Sequence, residues 1–290
     1  MISQNIKTRL FLDSGDSLDT QSALRLLGSI DGQTTNPSLI AKNPQAQERL
    51  VQGNKFTLKE VNDFYKQVVN EISHMIPNGS VSIEVAADAT TSSENMMEQA
   101  RSMFQWIPNA HIKLPTTREG LKAARMCIDE GMRVNMTLVF SQEQAAAVYA
   151  ATKGAKKGDV FLSPFIGRLD DIGLNGMDLI SNVLKMYQKG DGHVEVLTAS
   201  VRSMQHFMGA ITLGSDIITS PLSILQLWKD QNCEIPEGFK YEMPQLQPIA
   251  FQDLDLEKSW ASFNIQHDLT DKGLVKFAED WGRLIQSSEI

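Results

Sequence analysis

Lys113 is the residue of this sequence whose surroundings indicate chemistry most directly. It lies in the run HIKLP between Ile112 and Leu114, a pattern typical of a buried strand. A lysine is rarely buried without a partner, so one interpretation is a strand-end side chain that reaches solvent. The other interpretation is a desolvated amine that is held neutral and can attack a carbonyl carbon.

Two carboxylates on other strand-like runs favour the second interpretation. Asp13 ends the run RLFLD and Glu84 lies in VSIEVA, and each could move protons to and from a lysine imine. Ser82 and Glu84 are two residues apart, as are Asn135 and Thr137, so each pair can point to the same side of its strand. Taken singly, Asp13 could instead be a strand-end cap and Glu84 a surface charge.

Two arginines, Arg168 and Arg202, follow the sixth and seventh strand-like runs. Loops late in a barrel often hold a phosphate, and arginine binds one through paired donors. Either arginine could instead be a structural salt-bridge partner. Other polar residues at strand ends complete the set that we expect to face one site, namely Thr34, Asn36, Ser163 and Ser200.

Eight short β-rich runs carry these residues, and segments with helical periodicity separate them. The spacers are about 17 residues or longer, which is enough for a crossover helix between parallel strands. This alternation predicts an α/β fold, either a closed (β/α)8 TIM barrel or a doubly wound sheet. The first turn reads DSGDSLD and not G-x-G-x-x-G, which favours the barrel. The predicted strands are 9–13, 32–36, 81–86, 111–115, 133–139, 159–164, 193–200 and 216–221.

The ends of the helices are predicted from capping residues and from apolar spacing. Thr91, Thr116 and Ser141 are each followed three residues later by Glu or Gln, which predicts a capping box at each position. We predict a single domain over 1–290, with the barrel at about 9–221 and a C-terminal helical extension at about 222–290. The extension ends in an amphipathic helix that would pack on the barrel or on a sister subunit. Its apolar face is formed by Leu274, Phe277, Ala278, Trp281 and Leu284.

Composition sets limits on the partners. Hydrophobic residues make up 42% of the 290 residues and the formal charge is −8, with no basic stripe that would indicate nucleic-acid binding. No run of about 18 apolar residues predicts a membrane span. Cys127 and Cys233 form no CxxC motif, and the histidines lack metal-ligand spacing, so we expect a cytoplasmic protein with no disulfide framework and no metal.

In their order along the chain, these motifs resemble the transaldolase family. The resemblance covers about residues 9–221, and its specific parts are TTNPS and the lysine motif followed by T-x-E-G. The matching segments are FLDSGD (11–16), GQTTNPSLI (32–40), SIEVAADA (82–89), IKLPTTREGLKAA (112–124), NMTLVFSQEQA (135–145), LSPFIGRLDD (162–171) and TASVRS (198–203).

The resemblance implies a reaction and a set of roles. A dihydroxyacetone unit would pass from sedoheptulose 7-phosphate or fructose 6-phosphate to an aldose phosphate, as in the pentose phosphate pathway, without a cofactor. Lys113 would form the Schiff base, Glu84 and Thr137 would handle imine protons through a water, and Asp13 would take the sugar hydroxyl proton. The residues implied to bind the donor are Thr34, Asn36, Ser82, Asn135, Ser163 and Phe165, and those implied to hold the phosphate are Arg168, Ser200 and Arg202.

Two alternatives remain beside this interpretation. A fructose 6-phosphate aldolase would use the same imine but release the donor unit, and aldolase-type members carry Gln and Tyr at the positions of Glu84 and Phe165. The run GRLDDIGLNGMDL nevertheless resembles the shorter subfamilies. The second alternative, a sugar-phosphate-binding barrel without catalysis, would have no need for this set of residues. For partners, the resemblance implies small sugar phosphates and a homo-oligomer, most simply a dimer.

Overall fold

Eight parallel strands form a closed barrel in a computed structural model that describes residues 6–286. Each of the eight predicted strands is confirmed, with ends that differ by at most two residues. The strands are β1 (Arg9–Asp13), β2 (Gly32–Thr34), β3 (Ser80–Glu84), β4 (Ala110–Pro115), β5 (Val134–Val139), β6 (Val160–Pro164), β7 (Val194–Thr198) and β8 (Ile217–Ser220). Each pairs with its neighbours in sequence, and β1 pairs with β8, so the fold is the predicted (β/α)8 TIM barrel.

Helices surround the barrel and cover the outer face of every strand. Both faces of the strands are therefore buried, which explains why their sequences are nearly continuous apolar runs. The helices are α1 (Ser17–Leu27), α2 (Pro37–Ala41), α3 (Pro44–Val51), α4 (Leu58–Met75), α5 (Ser93–Phe104), α6 (Arg118–Asp129), α7 (Gln142–Ala151), α8 (Ile166–Asp170), α9 (Gly176–Tyr187), α10 (Met204–Leu213), α11 (Leu222–Asp230) and α12 (Asp268–Leu284).

Aromatic rings fill the lower half of the barrel, below the polar strand ends. The ring of Phe161 lies 4.1 Å from that of His111 in a stacked pair and 5.9 Å from that of Phe11. Gly32 makes room for this layer, because a Cβ there would lie 2.6 Å from the Phe11 ring. This layer of rings closes the middle of the barrel, and barrels of this kind bind ligands at the carboxyl ends of their strands.

Two of the three predicted capping boxes are wrong by one residue. Ser92 caps α5 in place of Thr91, and Thr117 caps α6 in place of Thr116. The hydroxyl of Thr116 instead donates to the carbonyl oxygen of Thr137 on β5, so a contact between strands takes the group that the local pattern assigned to the helix. At α7, Ser141 is the cap as predicted.

The third box is therefore only half formed. The side chain of Gln144 accepts a hydrogen bond from the backbone N–H of Phe140, and not from that of Ser141. A complete capping box that was not predicted forms at α4, where Thr57 and Glu60 bond reciprocally.

The C-terminal extension begins later than about residue 222. Residues Leu222–Asp230 form α11, the eighth helix of the ring, which packs against α1. After an irregular stretch and a short 3-10 turn at Trp260–Ser262, α12 packs on α2 and β5 of its own barrel. Among residues 6–286, no helix has both the length and the apolar character needed to cross a bilayer.

Candidate active site

Lys113 and Glu84 form a buried ion pair on adjacent strands. They are register partners of β4 and β3, so their side chains leave the sheet side by side. The Lys113 Nζ lies 2.9 Å from the Glu84 Oε2, and each side chain is only 3% exposed. Nζ also donates to the carbonyl oxygen of Thr35 at 3.2 Å. The lysine therefore does not reach solvent, and Glu84 is not a surface charge.

Asp13 supplies a second carboxylate at the end of β1. It is partly open to the cavity above the strand ends, and the hydroxyl of Thr34 donates to its Oδ1 at 2.7 Å. Burial raises the pKa of Asp13 and that of Glu84 above their ordinary values, against the opposing effect of the Lys113 charge. Both carboxyl groups are thus shifted toward the range in which they can give and take protons.

A chain of polar side chains crosses the middle of the barrel. The amide of Asn135 donates to the Ser82 hydroxyl at 3.0 Å and accepts from the Ser163 hydroxyl at 2.7 Å. In the described part of the chain, the Thr137 hydroxyl is fully buried and has no hydrogen-bond partner. Because buried polar atoms are usually satisfied, Thr137 is a candidate to hold a small polar molecule.

Tyr65 on α4 supports the ion pair from outside the barrel. Its hydroxyl accepts from the backbone N–H of Glu84 at 2.9 Å and shares a hydrogen bond with the Thr35 hydroxyl. The pKa of Tyr65 is raised far above its usual value by burial, so the phenol stays neutral. Tyr65 was not predicted as a site residue, because a tyrosine on an amphipathic helix has the same sequence pattern as ordinary core packing.

Two arginines form the cationic wall of the cavity. The guanidinium of Arg168 lies over the Phe165 ring, 5.1 Å from its centroid, while Arg202 forms an ion pair with Asp171. Arg202 therefore forms a salt bridge, as the alternative interpretation of the sequence expected, and also lines the cavity. Ser200 lines the same cavity and has a positive φ of 60°. These residues approach closely because residue 167 is glycine, where a Cβ would lie 2.5 Å from the Ser200 carbonyl oxygen.

The cavity at the barrel mouth has a volume of about 230 Å³. Of the predicted site residues, it is lined by Asp13, Thr34, Asn36, Lys113, Ser163, Phe165, Arg168, Ser200 and Arg202. The other four, Glu84, Ser82, Asn135 and Thr137, do not line it. Glu84 joins it through the ion pair with Lys113. Asn135 joins it through its hydrogen bond to Ser163, and Ser82 through its hydrogen bond to Asn135. The side chain of Thr137 has no such link among the described residues. Asn36 also caps α2, since its side-chain oxygen accepts from the Leu39 N–H.

Several cavity residues were not predicted. Thr219 shares a hydrogen bond of 2.6 Å with Thr34, and Lys42 contributes positive charge near Asp13. Ser38 and Leu39 also line the cavity, as do Lys276, Phe277 and Asp280 of α12. Of these residues, only Phe277 was part of a predicted feature, the apolar face of the C-terminal helix. That pattern does not indicate which part of the protein the face covers.

A wider groove of about 770 Å³ lies between α1 and α4. The side chains that line it are exposed or half-buried, including Leu18, Lys66 and His74. It brings no buried titratable groups together. The smaller cavity at the barrel mouth is therefore the candidate active site.

Comparison with known proteins shows the family to which the chain is similar. The model of the family described as "Transaldolase/Fructose-6-phosphate aldolase" matches residues 10–288. A protein of Brucella ovis named "Probable transaldolase" is 35% identical over 275 residues, which is 95% of this chain and 97% of that protein. A protein of Cereibacter sphaeroides with the same name is 35% identical over 279 residues, which is 96% of this chain and 98% of that protein.

Proposed function

The chain belongs to the transaldolase/fructose-6-phosphate aldolase family, and from this premise we propose that it is a transaldolase that acts through a Schiff base on Lys113. The donor is a ketose phosphate, fructose 6-phosphate or sedoheptulose 7-phosphate, and the acceptor is an aldose phosphate of the pentose phosphate pathway. The observation that carries the proposal is the buried Lys113 amine beside two carboxyl groups whose pKa values are raised.

Imine formation is the first step. Glu84 takes a proton from the Lys113 ammonium, and the neutral amine attacks the C2 carbonyl of the donor to give a carbinolamine, which loses water to give the iminium ion. Glu84 lies 2.9 Å from the amine and transfers the protons that these steps require. The unpartnered hydroxyl of Thr137 would hold the water that is lost here and added back on hydrolysis.

Cleavage of the C3–C4 bond is the second step. Asp13 takes the proton of the C4 hydroxyl, and C4 becomes the aldehyde carbon of the leaving sugar. The electrons of the C3–C4 bond form the C2=C3 bond of the enamine, and those of the C=N bond pass to the nitrogen. An aldose phosphate leaves and an enamine of dihydroxyacetone stays on Lys113. Transfer reverses this step: the enamine carbon adds to the acceptor aldehyde, and the proton returns from Asp13 to the new hydroxyl.

Hydroxyl and amide groups fix the three-carbon unit. Ser163 and Asn135 lie on β6 and β5 beside Lys113, and their hydrogen bond orients both side chains. Thr34 and Asn36 face the cavity from the opposite side, and Ser82 supports Asn135 from below. The phosphate group of either sugar would bind Arg168, Arg202 and Ser200, which share one wall.

Phe165 favours transfer over release of the donor. An aldolase must protonate the enamine carbon, whereas a transferase must leave it unprotonated until an acceptor arrives. The Phe165 ring lies 5.9 Å from the Lys113 Nζ and has no proton to give. This apolar neighbour, together with the Glu84 carboxylate, is the reason to prefer a transaldolase to a fructose 6-phosphate aldolase.

Borohydride trapping tests the proposal. We expect fructose 6-phosphate without acceptor to leave a reducible three-carbon adduct on Lys113, found by intact mass and peptide mapping. Lys113→Ala should lose the adduct and the transfer reaction, because Lys113 is the cavity lysine that is paired with Glu84, while Lys122→Ala, which changes an exposed lysine, should keep both. Rapid release of glyceraldehyde 3-phosphate without acceptor would identify an aldolase instead. Absence of both adduct and release would mean that the proposed chemistry is wrong.

A further inference from the structure

Helix α12 crosses the mouth of the barrel and is fastened on both sides of the cavity. At one side, the Thr270 hydroxyl donates to the carbonyl oxygen of Leu138 at 2.9 Å, at the end of β5. At the other side, Asp280 accepts a hydrogen bond from the Ser38 hydroxyl on α2. The residues between these two attachments are therefore held over the cavity, and Phe277 lines it.

The guanidinium of Arg168 lies against this helix. Its central carbon is 5.1 Å from the Phe165 ring centroid and 5.5 Å from that of Phe277, so two aromatic rings flank it. Gly273, one helical turn before Phe277, completes the enclosure. A Cβ at position 273 would lie 2.6 Å from the Arg168 Nη1 and 2.6 Å from a methyl group of Leu138.

Packing holds Arg168, whereas an ion pair holds its neighbour. Arg202 is bonded to Asp171, but Arg168 forms no ion pair with any residue that the structure describes. Burial and the nearby charge of Arg202 lower the pKa of Arg168, so electrostatics disfavours the guanidinium where it lies. Its position is therefore set by the surfaces that enclose it.

Glycine at position 273 has no reason in the helix itself. It lies in the first half of a 17-residue helix and does not have a positive φ. A glycine inside a helix costs about 1 kcal/mol relative to alanine. Gly282 on the same helix gives the comparison, since a Cβ there would meet no atom within 4 Å. The space beside Gly273 is needed by Arg168 and Leu138.

We propose that Gly273 and Phe277 of α12 position Arg168 for the substrate phosphate, and that this helix thereby sets the preference for phosphorylated over unphosphorylated ketoses. The proposal deepens the proposed function and rests on it for the identity of the substrate. The anion that it concerns is the phosphate monoester of the sugar, for which inorganic phosphate is a simple probe.

Gly273→Ala is the direct test, with Gly282→Ala as the matched control. The atoms nearest to the added methyl group belong to the ends of two side chains, Arg168 and Leu138, and not to the backbone. We therefore expect the fold to be kept while the guanidinium of Arg168 moves. We expect inorganic phosphate, measured by titration calorimetry, to bind Gly273→Ala about tenfold more weakly, the loss of one charge-assisted contact. Gly282→Ala should bind as the wild type does. Phe277→Leu, which removes one flanking ring, should weaken binding in the same direction.

A second background shows whether the effect passes through Arg168. In Arg168→Gln, the further change Gly273→Ala should alter phosphate affinity by less than about twofold, because the group it displaces is gone. An undiminished effect in that background would overturn the proposal. So would wild-type phosphate affinity in a folded Gly273→Ala protein, with folding checked by thermal melting.

Kinetics separate this proposal from the proposed function. If the wild type transfers dihydroxyacetone, Gly273→Ala should raise the KM for fructose 6-phosphate much more than it changes kcat, and the ratio of kcat/KM for fructose 6-phosphate to that for fructose should fall about tenfold. An unchanged ratio would refute the positioning role and leave the transaldolase assignment intact. If the wild type shows neither transfer nor adduct, the function fails, and the phosphate titrations still decide whether α12 positions Arg168.

Discussion

The residues around Lys113 combine groups that stabilise one another with groups that cost folding energy. Lys113 and Glu84 compensate each other at 2.9 Å, and Tyr65 holds the backbone of Glu84. Asp13 has a hydroxyl donor, Thr34, but its raised pKa shows that its ionised form is less well solvated than in the unfolded chain. An active site commonly retains such a cost because the charge is needed for the reaction.

Asp13→Asn should therefore raise stability while it removes activity. A raised carboxyl pKa contributes stability that is complete at low pH and is lost as the pH rises through the folded-state value. Asparagine keeps the acceptor for the Thr34 hydroxyl without the charge. Because Asp13 is partly open to the cavity, we expect a gain of about 1 kcal/mol in the free energy of unfolding near neutral pH. The gain should disappear toward the ordinary aspartate value of 3.8.

Urea unfolding of both proteins across this pH range measures the difference. Asp63→Asn, which changes an exposed carboxylate on α4, is the control and should show little change at any pH. A gain that grew toward acid pH would contradict the explanation. Transfer activity of Asp13→Asn retained at the wild-type level would contradict the role of Asp13 in the reaction.

At the scale of elements, the strands carry the reactive side chains, and the turns and helices that follow them hold the strand ends in position. β4 carries Lys113 and ends at Pro115, and α6 begins three residues later. Gly120 in the first turn of α6 lies directly against that strand end, since a Cβ there would be 1.9 Å from the Pro115 carbonyl oxygen. The strand that holds the lysine and the helix that follows it are thus in backbone contact.

Gly120→Ala should cost about 3 kcal/mol in the free energy of unfolding, because the clash is with backbone, which cannot move aside. Denaturant unfolding checks this value. The control is again Gly282→Ala, where the same change has open space and should be neutral or stabilising. If the two variants were equally stable, the contact between β4 and α6 would not be as close as described.

The sequence contained enough information for the strands and the polar strand ends, because each strand is a short apolar run with a polar residue at one end. It did not contain the partners that come from elsewhere in the chain. Thr116 has the local pattern of a cap, but Thr137 takes its hydroxyl. The apolar face of α12 could be predicted from the spacing of its residues. Its contact with Arg168 could not, because that contact depends on the path of the C-terminal extension across the barrel.

At the scale of the whole molecule, the two ends of the barrel differ in what their polar groups do. The carboxyl end holds the cavity with Lys113 and the arginines. The amino end holds ion pairs to which the proposed function gives no role, such as Arg9 with Glu195 at 2.8 Å. His193, the residue before β7, also lies at this end and is hydrogen-bonded to Asp191 and Thr152. Barrel enzymes generally separate function and stability in this way.

Asp191→Asn tests that separation. Burial raises the pKa of Asp191, but hydrogen bonds from His193 and Tyr149 outweigh it and bring the value to about 2. A lowered carboxyl pKa contributes stability above its unfolded value that is lost as the pH falls through the folded one. Since the Asp191 side chain is 62% exposed, solvent screens the charge, and we expect a loss of only about 1 kcal/mol at neutral pH that shrinks in acid.

The same variant should carry out transfer at the wild-type rate, because Asp191 lies at the end of the barrel opposite the cavity. The measurement is therefore paired: urea unfolding against pH, and kcat and KM for fructose 6-phosphate. A fall in kcat without a change in stability would mean that the amino end of the barrel acts on the reaction. A loss of stability with unchanged kinetics would show that the hydrogen bonds of Asp191 stabilise the barrel and take no part in the reaction. Substitutions at this end would then change how long the folded protein survives without changing its rate of catalysis.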